Sequence, residues 1–138
     1  MGLFDKLGGG KDIELSSQGA LLLSALTMIG IDGDVDDNEI AIIQRMDRGN
    51  PIDTDFNNAL KIWKTKSIID CINIVADILD KQEQITAMAN LIDIAMADGI
   101  FDGNEKILLE RYIDRFDIDL SIVESIVDVV SIKNKTFF

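Results

Sequence analysis

The chain repeats itself at an offset of 66 residues, and nothing else in it constrains the fold as tightly. Asp32-Gly33-Asp34-Val35-Asp36-Asp37-Asn38-Glu39 returns as Asp98-Gly99-Ile100-Phe101-Asp102-Gly103-Asn104-Glu105. The register continues without a gap. Arg45 falls on Arg111, Ile52-Asp53 on Ile118-Asp119, and Phe56, Leu60 and Trp63 fall on Ile122, Ile126 and Val129. Residues 20–64 and 86–130 share eight identities, and five of them cluster in the eight-residue window that opens at Asp32. That clustering points to a duplication. The expected architecture is one domain over residues 12–138, made of two pseudo-symmetric halves, 20–64 and 86–130. Residues 1–11 form a flexible segment set apart by Gly8-Gly9-Gly10.

Each half reads as three helices. Residues 19–30 are apolar on nearly every side, as a buried helix is. The Asp-Gly turn that follows suits a helix end, because glycine tolerates a left-handed backbone. Asp36 and Glu39 then form a D-x-x-E capping box for a second helix carrying Ile40, Ile43 and Met46 at helical spacing. Residues 48–51 break that helix, and Asp53 or Thr54 caps a third with Phe56, Leu60 and Trp63 on one face. In the second half, residues 85–97 are the buried helix. Asp102 and Glu105 repeat the box, and Ile107, Leu108 and Tyr112 make the stripe. Asp119 caps a helix through Val130. A helix over 67–79 links the halves. No stretch alternates with period two long enough to argue for a strand, so the expectation is all-α with about seven helices.

Composition excludes whole classes of function. There is no histidine and a single cysteine, Cys71, so histidine-based acid–base schemes, structural zinc and disulfide frameworks drop out. Thirteen basic against 25 acidic side chains give a net charge of −12, which repels phosphate backbones, so nucleic acid is not an expected partner. The longest apolar run, residues 20–31, falls short of the roughly 20 residues a membrane helix needs. The opening residues carry Asp5 and three glycines instead of a signal-peptide core. A cytoplasmic protein is expected.

A buried helix, an Asp-Gly-x-[Val/Phe]-x-x-x-Glu turn and a second amphipathic helix, given twice, resemble the TerB family of tellurite-resistance proteins. The second copy, Ala97 through Lys106, is the nearer match. Phe116-Asp117-Ile118-Asp119 resembles the family's turn into its last helix, and Leu3-Phe4-Asp5-Lys6-Leu7 is similar to the N-terminal tag that many members carry. The resemblance covers nearly the whole chain. It implies a TerB-like domain, a non-enzymatic role in stress response, divalent-cation binding at the acidic turns and protein partners in a complex at the inner membrane. The same fold occurs in the N-terminal domain of DjlA-type co-chaperones, so the resemblance also admits a plain protein–protein interaction module without metal.

The candidate metal ligands are Asp32, Asp34, Asp36 and Glu39 at the first turn and Asp98, Asp102 and Glu105 at the second. Carboxylates and backbone carbonyls are the oxygen ligands that Ca²⁺ or Mg²⁺ takes. Helix capping alone accounts for Asp36, Glu39, Asp102 and Glu105, each such cap stabilising by about 1 kcal/mol. It does not account for Asp34 or Asp37, whose charges add to the local repulsion. EF-hand spacing fails: counted from Asp32, the sixth position is Asp37 where glycine is required, and the twelfth is Ile43 where glutamate is required.

The remaining singular residues read as structural. Cys71 lies in an apolar stretch as a core thiol, and Trp63 sits at helical spacing with Phe56 and Leu60. Asp93 interrupts an apolar helix and needs a partner, for which Arg111 and Arg45 are the candidates. Leu3, Phe4 and Leu7 could form a short apolar face that frays or docks on a partner or membrane surface. With no nucleophile–base pair and no phosphate cradle, the chain reads as a non-enzyme.

Overall fold

A helix with no polar face has to be covered on every side. In the computed structural model, which describes residues 14–32, 54–97 and 103–135, that helix is α1 (Ser17–Ile29), with ten of its 13 residues buried. Ser16 starts it, accepting a hydrogen bond from the Gly19 N–H at 3.0 Å. The same hydroxyl donates to the Asp55 carboxylate at 2.6 Å, linking the start of α1 to the first turn of α2. Ser24 and Thr27 survive burial because their hydroxyls donate to the carbonyls of Leu21 and Ser24, each at 2.6 Å. The helix runs into a 3-10 turn, Gly30–Asp32.

α2 (Thr54–Thr65) lays Phe56, Ala59 and Ile62 against α1. Trp63 is half-buried, and a Cβ on Gly30 would overlap its indole. That close approach requires glycine at the end of α1. Thr54 is the first helical residue and not the cap, while Asp53 lies outside the described residues. α3 (Ile68–Ile78) follows, with Ser67 accepting from the Asp70 N–H at 3.1 Å.

α4 (Lys81–Met96) begins four residues before the Ile85 start expected from its apolar pattern. A reciprocal box at Asp80 and Glu83 is the reason: Asp80 accepts from the Glu83 N–H at 2.8 Å, and Glu83 accepts from the Asp80 N–H at 2.9 Å. Gln84 is buried in that first turn and donates to the carbonyls of Ala76 and Leu79, both at 3.2 Å. It thereby satisfies the end of α3.

α5 (Gly103–Phe116) buries Glu105, Leu108, Leu109, Tyr112 and Phe116. Ile107, expected in that stripe, is 52% exposed, and Leu109 takes its place. Lys81, at the start of α4, donates to the carbonyls of Phe116 and Asp117, so the two helices run antiparallel. The chain turns at Asp117, whose φ is 54°, and enters α6 (Leu120–Lys133). Asp119 stands at the cap position but makes no side-chain capping bond; its carbonyl accepts from Ile122 and Val123 instead.

Two helices organise the core. α1 packs on α2, α3 and α4, while α4 packs on α1, α5 and α6. The apolar side chains form one continuous cluster running from Ala20 to Val130. The described residues are all-helical, with six α-helices and no strand. The helix expected after Asp36 lies outside them, as do the segment 1–11 and the break at residues 48–51.

Candidate functional site

α1 and α4 each end next to one of the two acidic sequence segments. Asp32 ends the 3-10 turn beyond α1, which packs on α5. Ala97 caps α4 one residue before Asp98. Of the expected ligands, Asp34, Asp36, Glu39, Asp98 and Asp102 lie outside the described residues. Glu105 is described: it stands in the first turn of α5 and is 9% exposed. Burial sets it apart from an exposed first-turn carboxylate, which needs only solvent. Among the described residues no group of three or more acidic or cysteine side chains is placed to hold a metal ion.

A second feature was not visible in the sequence. α5 and α6 are joined by a short connection and both pack on α4, but they scarcely touch each other. The splay leaves a groove of about 450 Å³. Its floor is Met88 and Ile92 of α4 with Leu109 of α5, all buried. Met96, Ile113, Val123 and Val127 form the half-buried walls. The lining is apolar except where Lys106 and Glu110 of α5 reach the edge. On the other flank of α6, Ile122, Ile126 and Val129 line a shallower hollow against Ala89. Leu120, Val129 and Ile132 of this helix are more than half exposed, at 66%, 63% and 74%. Such clustered apolar exposure is a recognised mark of an interaction site.

Among the described residues, burial holds the Cys71 thiol and the Tyr112 phenol protonated. Cys71 is in the core as expected, and burial pushes its thiol up to about 11, with the Asp70 carboxylate adding to the effect. It is protonated at neutral pH and a poor nucleophile. Tyr112 is fully buried, and its hydroxyl meets the Thr27 hydroxyl at 2.7 Å. Burial holds this phenol far above its usual range, against a smaller opposite pull from the Thr27 hydrogen bond. Asp93 does have a partner: Lys133 donates to both carboxylate oxygens at 3.1 Å, and the Asn134 amide donates at 3.1 Å, while of the expected arginines Arg45 lies outside the described residues. Arg115 instead ties α5 to α3 through Asp77 at 2.9 Å and Asn73 at 3.0 Å.

Comparison of the chain with protein-family models, with curated proteins and with solved structures finds no match. Among the described residues no helix is long and apolar enough to cross a membrane.

Proposed function

We propose that the chain is a non-enzymatic TerB-like protein of the tellurite and stress response. In this reading it is built from two equivalent halves of three helices, and its doubled acidic turns take Ca²⁺ or Mg²⁺. One observation carries the reading. The two core helices α1 and α4 run into the two Asp-Gly turns at an offset of 66, and α2 and α6 begin at Thr54 and Leu120, the same offset apart. A seventh helix after Asp36, the counterpart of α5, completes the symmetry. The protein acts in the cytoplasm, within a protein complex at the inner membrane.

A cation bound only by the folded chain raises the melting temperature with the logarithm of its concentration above Kd. Calcium is therefore expected to stabilise the protein more than sodium at matched ionic strength, which controls for screening of the −12 charge. Asp34→Asn, outside the capping box, should remove much of that gain. Asp36→Asn should also weaken it while keeping the cap, since asparagine caps as well as aspartate. Equal melting curves in calcium and sodium would reduce the turns to caps.

The apolar groove favours a second reading, a protein–protein interaction module of the same fold. The two readings are compatible, because a cation at the turns and a partner on the groove engage different residues.

A further inference from the structure

We infer that the groove between α5 and α6 is the docking site for a cationic amphipathic helix of another protein. The inference rests on the interaction-module reading and names its partner's chemistry. Met88 and Ile92 of the floor and Met96 of the wall recur every four residues along one side of α4, so the groove follows that helix for about 12 Å. That length matches the anchors of a helix at i, i+4 and i+7. Met96, half-buried at one end, suits such a partner, since its unbranched side chain adapts to whatever shape enters.

Charge selects the sign of the partner. Glu110 stands at the groove's α5 edge, and Glu124, exposed on α6, follows the wall residue Val123. Among the described residues Lys106 is the one base lining the groove, in a chain of net charge −12. A helix with lysine or arginine flanking its apolar stripe meets attraction from Glu110 and from the field of the whole protein. A fatty acid would bring its carboxylate, and a second copy of this chain its own −12, into that same negative field, which repels both.

The test uses the full chain and a fluorescent synthetic peptide of about four helical turns, with leucine at i, i+4, i+7 and i+11 and lysine on the flanks. A twin carries glutamate in place of lysine. The lysine peptide is expected to bind and its twin to bind far more weakly. Val127→Asp adds a negative charge, so diffuse attraction would tighten binding, whereas loss of a groove wall should weaken it about tenfold or more. Glu110→Lys with Glu124→Lys alters only exposed positions and should reverse the preference between the peptides; it keeps the test decisive if Val127→Asp fails to fold, as judged by circular dichroism. Peptide binding that survives these substitutions overturns the groove assignment and leaves the interaction-module reading standing. Binding of neither peptide overturns both. Concentration-dependent dimerisation abolished by Val127→Asp would give the groove to a second copy and also sink the proposal.

Discussion

α1 and α6 have nearly the same apolar content and opposite fates. Each carries eight apolar side chains, in 13 and 14 residues respectively, yet α1 buries ten positions and α6 buries only Val130. The difference lies in their neighbours. α1 is enclosed by α2, α3 and α4, whereas among the described elements α6 rests mainly on α4. Apolar content therefore fixes how much surface a helix would gain by burial, while the packing of the other elements fixes how much it does bury. α6 leaves the groove open on one flank and the hollow lined by Val129 on the other. The comparison divides the molecule into a part whose apolar surface holds the fold and a part whose apolar surface remains available.

The largest effect should come from cutting the first part. Leu26→Ala on α1 removes a fully buried side chain and is expected to cost about 2–5 kcal/mol in denaturant unfolding. Val129→Ala on α6, a residue 63% exposed, should change stability by less than about 0.5 kcal/mol. Equal costs would mean that the outer face of α6 is covered in solution, and the contrast between the helices would disappear.

Next in size is the close contact at the end of α1. Gly30→Ala drives a methyl group into the Trp63 indole and should destabilise by about 1–3 kcal/mol, as overpacking does. Trimming the indole with Trp63→Leu should relieve most of that penalty, so the pair is non-additive in a double-mutant cycle. Additive costs would show that α2 shifts to make room, and that α1 is less tightly enclosed than its burial indicates.

Much of this contrast was legible in the residues, and the reasons for what was not are specific. α1 could be read because a run that is apolar on all sides allows only burial. The start of α4 is marked by the D-x-x-E pattern of Asp80 and Glu83, but its apolar positions begin only at Ile85, and those set the expected boundary. For Asp93, charge alone offers Arg111 and Arg45 as candidates, and Lys133 reaches it because α6 lies along α4. The groove depends on two consecutive helices splaying over a third. No periodicity in one sequence records such an angle. Five of the seven acidic candidates lie outside the described residues, so the metal reading stands on their pattern, with Glu105 as its buried member.

Alkaline pH gives a smaller effect that again belongs to the enclosed part. Burial raises both Cys71, to about 11 from 9.0, and Tyr112. In the unfolded chain these groups release their protons at lower pH than in the folded protein. Their contribution to stability is therefore complete below about pH 9 and declines as pH rises through the folded values. Chemical unfolding between pH 8 and about 11 should show that decline, and Tyr112→Phe should flatten it. Tyr112→Phe should also cost about 1 kcal/mol at neutral pH for the lost hydrogen bond to Thr27. A slope unchanged by the substitution would mean that the phenol reaches water.

The smallest expected effect tests how α6 is held. Beyond its packing on α4, its last turn is tied down by Lys133 and Asn134 on Asp93. The Lys133 and Asp93 side chains are 60% and 37% exposed, and ion pairs that wet typically contribute about 0.2–1 kcal/mol. Lys133→Met should therefore lower global stability only slightly, and added salt should mask part of the change. Its effect on local motion should be larger than its effect on melting. With one supporting helix and a weak terminal tie, α6 should exchange its amide hydrogens by local opening, while α1 exchanges only when the whole domain unfolds. Lys133→Met should speed exchange in the last turns of α6 and leave α1 unchanged. If α6 amides are instead as protected as those of α1 in the unmodified protein, the second helix is as firmly enclosed as the first. Its exposed apolar face would then need an occupant that the isolated chain already supplies.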